Sequence, residues 1–275
     1  MRNLITIGIF LDITGFAEKS RSISFFLITA KEKGVRKGNQ MNDEMKKTVC
    51  IIPARGGSKR VPRKNIRSFL GHPIIAYPIT AALESGVFSE VMISTDDAEI
   101  ANFATTCGAM VPFMRSGKTS GDHAIIDEVL LEVLDEYKKQ NRSFDYLCCI
   151  FPTAAFVSAK MLSESFEMLL KGAFDSVIPV VRYSPPIQRA FRLKNGKLEM
   201  FEPENFKKRT QDLELAFYDA GLFYWMKTDC FVKNKKCLTS NTGAFEIDEN
   251  ACCDIDTEED WIFAERLFEL MMKKI

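Results

Sequence analysis

The run Val49-Cys50-Ile51-Ile52-Pro53-Ala54-Arg55-Gly56-Gly57-Ser58-Lys59-Arg60-Val61-Pro62-Arg63-Lys64-Asn65 joins an apolar segment to a cationic loop. Residues 49–52 are short, apolar and rich in β-branched side chains, which predicts a buried strand. Two adjacent glycines then let the backbone turn tightly and bring its N–H groups close to a ligand. Six cations fall within the thirteen positions 55–67: Arg55, Lys59, Arg60, Arg63, Lys64 and Arg67. Backbone donors and cations together suit a polyphosphate. The alternative is a solvated basic loop after an edge strand. The apolar strand before the loop favours a ligand site, because α/β folds place phosphates at strand carboxyl ends. Neither Gly-x-Gly-x-x-Gly nor Gly-x-x-x-x-Gly-Lys-Ser/Thr is present, so dinucleotide and P-loop readings are weak.

Outward from this run, strand and helix patterns alternate. Ile75, Ile79, Ala82 and Leu83 predict a helix packed on a sheet, with Pro78 near its first turn and Gly86 closing it. A second strand, 91–94, runs into Thr95-Asp96-Asp97, read as helix-capping chemistry. The apolar piece 111–114 leads to a polar loop, 115–123. A helix follows, with Ile126, Leu130, Val133, Leu134 and Tyr137 on one stripe. Residues 146–151 read as a fully buried strand, about 158–171 as a helix, and 176–181 as another strand. This alternation predicts an α/β, Rossmann-like fold, with a mostly parallel central sheet and helices on both faces. Ligands then belong at the carboxyl ends of the strands, which puts the 55–64 loop and Pro152-Thr153-Ala154 on one rim.

After residue 181 the pattern changes. Residues 191–201 alternate and turn at Asn195-Gly196, a hairpin signal. Residues about 182–218 read as an excursion from the sheet. Its side chains, with Asp219 just after it, suit a polar, carboxylate-bearing ligand. Arg189 or Arg209 suits a bidentate carboxylate contact. Gln188, Gln211 and Asp219 suit hydroxyls and amides, and the aromatic residues suit an apolar ligand face. Each also has an ordinary structural reading. Near the end, Asp254 and Asp256 occupy alternate positions of an extended segment and so point to one side. Paired carboxylates are hard oxygen ligands suited to Mg²⁺ held jointly with phosphates. Thr257 with Asp260 reads as the N-cap of a closing helix whose core face holds Trp261, Leu267 and Phe268.

Composition sets outer bounds. The 275 residues carry 37 Lys+Arg against 37 Asp+Glu, so the chain as a whole is not a nucleic-acid binder by charge. Its eight cysteines form no Cys-x-x-Cys pair, and His72 and His123 lie far apart in sequence, which argues against structural zinc. Free thiols in a reducing cytoplasm fit best. No run reaches the roughly 18 apolar residues that span a bilayer. Residues 1–47 do not fit the rest. They are read as an N-terminal extension, either a misread start upstream of Met41 or Met45 or a poorly ordered tail.

The motif at 55–65 resembles the signature of the cytidylyltransferases that activate nine-carbon sugar acids, and the likeness runs over about 48–275. It implies a Rossmann-like nucleotidyltransferase that moves CMP from CTP to the anomeric hydroxyl of a sugar acid, with Mg²⁺ as cofactor. It also implies a homodimer in which the excursion closes over the partner's site. Carried over residue by residue, the resemblance gives nucleotide binding to Ala54, Arg55, Gly56, Gly57, Ser58, Lys59, Lys64 and Asn65. It gives catalysis to Lys59, Lys64 and Asp256, and metal binding to Asp254 and Asp256. The loop of Arg115, Ser116 and Asp122 falls beside the nucleotide. The runs 184–191, 209–213 and 217–225 look most like the pseudaminate branch, which gives sugar binding to Gln188, Arg189, Arg209, Gln211, Asp212, Tyr218 and Asp219. Relatives acting on sialic acid usually carry a glutamine near Phe151, and this chain lacks it. Sialic, legionaminic and eight-carbon sugar acids stay open as alternatives. Glu258 stands where the family often has proline. A non-catalytic nucleotide-binding module is the reading from a different class; retention of both lysines and of Asp-x-Asp argues against it.

Overall fold

Strand β1 (Thr48–Pro53) lies between two parallel neighbours in a computed structural model that describes residues 46–121 and 124–273. The expectations for residues 1–45, Asp122 and His123 fall outside the described residues. A short antiparallel pair, β2 (Ser68–Phe69) and β3 (His72–Pro73), follows the cationic loop. Helix α1 (Ala76–Ser85) holds Pro78 in its first turn and ends on Gly86, whose φ of 66° is the left-handed cap that glycine takes without penalty. Next come β4 (Glu90–Ser94), α2 (Ala98–Thr106), α3 (Ile126–Lys139), β5 (Tyr146–Ile150) and α4 (Ala159–Lys171). They lead to β6 (Ser176–Arg182).

The excursion then leaves the sheet. It contains the hairpin β7 (Phe191–Lys194) and β8 (Lys197–Met200), joined by Asn195 and Gly196 with φ of 52° and 77°. Positive φ at both positions is the I′ geometry that Asn-Gly favours. The chain returns through β9 (Phe217–Asp219) and β10 (Phe223–Lys227), and closes with α5 (Thr228–Asn234), β11 (Thr242–Ile247) and α6 (Glu258–Met272).

The sheet order is β11-β6-β10-β5-β1-β4, with β9 paired to β6. Strands β4, β1 and β5 are parallel, as are β6 and β11; β10 runs antiparallel between β5 and β6. Along β1 the side chains alternate between two cores. Cys50 and Ile52 pack with residues of α1, α2 and α4, and Val49 and Ile51 pack with residues of α3 and α5. That period of two, with every inward position apolar, is what makes β1 a buried central strand. A third cluster joins Phe69, Ile255 and Trp261 and docks α6 beside the cationic loop. All eight cysteines are free thiols.

Candidate active site

The carboxyl ends of β1 and β5 open into a cleft of about 570 Å³. One wall is the cationic loop, contributing Arg55, Ser58, Lys59, Arg60 and Lys64. The loop is fastened from beneath by the turn after β4. Asp97 caps α2 through Oδ1, accepting from the amides of Glu99 (2.9 Å) and Ile100 (3.1 Å). Its Oδ2 accepts from Arg63 at 2.6 Å. Burial alone would raise this carboxyl, but the Ile100 amide and Arg63 outweigh it and hold it below the usual carboxylate range. Asp96 accepts the Gly56 amide at 2.9 Å. Gly56 has to be glycine, because a Cβ there would lie 2.6 Å from Asp97 Oδ2. Both acids therefore anchor the loop, and Asp97 caps the helix as well.

Several expected nucleotide-binding groups already have partners within the chain. The Gly56 amide faces Asp96, the Ser58 amide donates to the Gly56 carbonyl at 3.1 Å, and buried Asn65 donates to the Arg55 carbonyl at 2.9 Å. Asn65 braces the loop and also lines the cleft. Ala54 is fully buried and bonds through its amide to Ser94.

The opposite end of this wall is set by the segment before α6. Ile255 is buried in the third core, while Asp254 and Asp256 flank it and both line the cleft. The capping box of α6 fixes them in place. Thr257 accepts the Asp260 amide, and Asp260 Oδ2 accepts the amides of Asp256 (3.0 Å) and Thr257 (2.8 Å). Arg60 pairs with Asp256 at 2.8 Å and Lys64 Nζ lies 3.7 Å from it. Lys64 also donates to the Ile255 carbonyl at 2.6 Å. Burial pushes Lys64 below the ordinary lysine range, against the opposing pull of Asp256 and Asp254. Asp254 is raised, first by burial and then by Asp256 beside it.

A divalent cation fits this pair. Two carboxylates close enough to repel each other gain from shared positive charge, and the surrounding cations suit the phosphates that would complete the coordination. Among the described residues no cluster of three or more His, Cys, Asp or Glu could hold a metal by itself, so a hard cation here needs ligand oxygens as well.

The far wall comes from Arg115, Thr119, Gly121 and the first turns of α3, with Ile126 and Val129 giving it an apolar patch. Arg115 is buried, and its guanidinium donates to Ser94 Oγ at 3.0 Å and to the Ser94 carbonyl at 2.6 Å. The floor is Phe151, Pro152 and Thr153, closed by Asp219 and Tyr224. Asp219 accepts from the Tyr224 hydroxyl and from the Gly221 amide.

Asp219 is the expected sugar-binding residue that the fold brings into this cleft. Gln188, Arg189, Arg209, Gln211 and Asp212 sit in the excursion, with most of their polar groups turned on the excursion itself, and Tyr218 lies where the chain rejoins the sheet, on β9 beside β6. Gln188 donates to the Glu214 carbonyl, Arg189 to the Lys208 carbonyl, and Arg209 forms a two-point ion pair with Asp212 at 2.8 and 3.0 Å. Gln211 lies in a single 3₁₀ turn, and Tyr218 packs against Tyr183. Gln188 Oε1 and Arg189 Nε are buried without a partner among the described residues.

A sequence model of the family described as Cytidylyltransferase matches residues 49–237. The chain belongs to the cytidylyltransferase family. This cytidylyltransferase is 39% identical over 225 residues to a pseudaminic acid cytidylyltransferase of Campylobacter jejuni, covering 82% of this chain and 97% of that protein. It is 30% identical over 231 residues to a CMP-N,N'-diacetyllegionaminic acid synthase of Legionella pneumophila, covering 81% and 96%. Among solved structures, a CMP:2-keto-3-deoxy-manno-octonic acid synthetase complexed with CTP superposes with a TM-score of 0.61 at 18% identity, over 83% of this chain and all of that one. That last likeness is one of fold.

Three parts of the cytidylyltransferase cleft had no specific role from the residues alone. The resemblance put the loop of Arg115 beside the nucleotide, and the folded chain shows Arg115 and Thr119 buried at the cleft. Tyr224 lies on β10, where its pairing with Asp219 depends on the turn at Gly221 (φ 64°). Arg60 was legible as one cation among six, but its ion pair with Asp256 joins residues 196 positions apart.

Proposed function

We propose that this cytidylyltransferase transfers CMP from CTP to the anomeric hydroxyl of pseudaminic acid, releasing pyrophosphate. The observation that carries the reading is the cleft itself, where Arg55, Lys59, Arg60 and Lys64 of the cationic loop gather beside an Asp-x-Asp pair at the carboxyl ends of β1 and β5. The 39% identity to the Campylobacter jejuni protein over nearly its full length supports the choice of sugar acid.

In this reading the loop wall takes the triphosphate. Lys59, Lys64, Arg55 and Ser58 hold its oxygens and stabilise the departing pyrophosphate as charge develops on it. The wall of Arg115, Thr119, Ile126 and Val129 takes the nucleoside, offering an apolar face with polar groups at its edge. Asp254 and Asp256 hold Mg²⁺, which supplies charge neutralisation at the phosphates. Arg60 and Lys64 exchange Asp256 for phosphate oxygens when the nucleotide enters. Asp219, steadied by Tyr224 and Gly221, accepts a hydrogen bond from the sugar acid. The chain's main contribution is positioning: the hydroxyl is held in line with the α-phosphorus and the leaving group is neutralised.

The catalytic domain in this proposal spans residues 48–275. The excursion exposes Leu193, Leu198, Phe201 and Phe206, each at 58% or more. An apolar surface of that kind suits a second copy of the chain. The proposed state is a homodimer, with Gln188, Arg189, Arg209, Gln211, Asp212 and Tyr218 serving the partner's cleft. No helix among the described residues is long and apolar enough to cross a membrane.

The test is pyrophosphate release with Mg²⁺ and CTP, comparing pseudaminic acid, sialic acid and no sugar. Release with pseudaminic acid supports the proposal in full. Release with sialic acid alone keeps the chemistry and overturns the sugar assignment. Silence with every acid, from protein that binds CTP, points to a binding module instead.

A further inference from the structure

The nucleoside wall is built from a segment with little regular structure of its own. Residues 115–121 lie between a bridge at Met110 and the start of α3, in turns and bends. Arg115 is tied to the end of β4 through its amide, which donates to the Thr95 carbonyl at 2.8 Å, and through its guanidinium on Ser94. The rest of the turn is gathered by one side chain. Glu132, in the second turn of α3, accepts from the Ser116 amide at 2.8 Å, from Ser116 Oγ at 2.9 Å and from Thr119 Oγ1 at 2.5 Å. Burial would raise this carboxyl, but the donors from Thr119 and Ser116, with the charge of Arg115 nearby, hold it low. It is therefore an ionised acceptor, and hydrogen bonds to a charged acceptor are the strong ones. α3 itself is fixed by the burial of Leu130, Val133 and Tyr137 in the second core, so Glu132 reaches the turn from a rigid base.

We infer that Glu132 is a positioning residue for the nucleoside half of the site, setting nucleoside affinity through the 115–121 turn and leaving the phosphate half untouched. Glu132 is absent from the cleft lining, whereas Arg115, Thr119 and Gly121 belong to it. The cationic loop has its own fastening, through Asp96, Asp97 and Asn65. The two halves of the cleft meet at Ser94, whose carbonyl accepts from both Ala54 and Arg115, but the contacts of Glu132 reach the nucleoside turn through Ser116 and Thr119. The inference rests on the nucleotide reading given under Proposed function.

The experiment is calorimetric titration of wild type, Glu132→Gln and Ser116→Ala with CTP, CMP and inorganic triphosphate, with melting temperatures alongside. Gln keeps the length of Glu and one acceptor oxygen, but its amide nitrogen cannot accept. E132Q should bind CTP and CMP about tenfold more weakly and inorganic triphosphate as wild type does. S116A, which removes one donor outside the cleft lining, should show the same pattern at about threefold. Equal loss for CMP and inorganic triphosphate would mark a general structural role and overturn the inference, as would unchanged CMP affinity. If E132Q loses its fold, S116A decides alone: selective loss of CMP affinity upholds the inference and uniform or absent loss overturns it. Wild type that binds triphosphate but shows no preference for CTP overturns the nucleotide reading, and this inference with it.

Discussion

The cleft and the excursion are built on opposite terms. Cleft residues hang from buried strands: Asp254 and Asp256 are aimed by a core isoleucine between them and by a capping box, and the cationic loop is pinned by Asp96, Asp97 and Asn65. The excursion has one buried apolar residue between 183 and 219, Leu213, and it turns large apolar side chains outward. Its polar residues satisfy one another, as Arg209 does with Asp212, or are left partly unsatisfied, as Gln188 and Arg189 are. One region is finished within a single chain. The other turns an apolar surface outward, the feature on which the proposed dimer rests.

Substitutions can break this contrast. The largest effect is expected at Asp256, where Asp256→Ala should lower kcat by about 10²–10³-fold, in line with loss of a preorganised charge at the transferring phosphate. Its melting temperature should stay near wild type, because Asp256 is a half-exposed side chain in an ion pair with an exposed arginine. Steady-state kinetics with a thermal melt checks both halves of the expectation. Next is Gly56→Ala, which forces its Cβ against Asp97. It should cost about 1–3 kcal/mol of stability by overpacking and raise KM for CTP, while KM for the sugar acid changes less.

In the excursion, Phe206→Glu with Leu198→Glu should turn a dimer into a monomer in analytical ultracentrifugation. CTP affinity by calorimetry should stay within about threefold of wild type, since neither residue touches the cleft. The pH profile gives a finer test. Burial holds Lys64 below the ordinary lysine range, so its charge is lost at lower pH than an exposed lysine's. CTP affinity should therefore fall on the alkaline side as pH rises through that lowered value, and Lys64→Arg should move the fall to higher pH. The smallest effect is expected at Leu193, 73% exposed on the hairpin. Leu193→Ser should leave the melting temperature of a monomeric variant unchanged, because almost no apolar area leaves water there.

What could be read from the sequence followed the same divide. The strand at 49–52, the glycine turn after it, the α1 stop at Gly86 and the Asn195-Gly196 hairpin were legible because each is a local rule of backbone or periodicity. The alternation around Ile255 likewise puts two acids on one side before any tertiary structure is known. Arg115 and Glu132 were not legible in this way. Their meaning comes from contacts between β4, a loop and a helix that meet only in the folded chain. β10 was also hard to anticipate as an antiparallel strand between parallel ones, because its direction is set by the turn back from the excursion and not by its own pattern. The roles proposed for Gln188 and Arg189 require a second chain, and the residues alone, without the family resemblance, do not point to it.

The central claim is that a cleft from one chain and an excursion from another make one site. Mixing two inactive variants tests it: Asp256→Ala, with a dead cleft, and the double variant Gln188→Ala with Arg189→Ala, with a dead excursion. After co-refolding, random pairing in a symmetric dimer should restore about a quarter of the wild-type rate of CTP-dependent pyrophosphate release, from mixed dimers holding one intact site. No recovery, from mixtures shown to contain mixed dimers, would mean that each excursion serves its own cleft and would contradict the account.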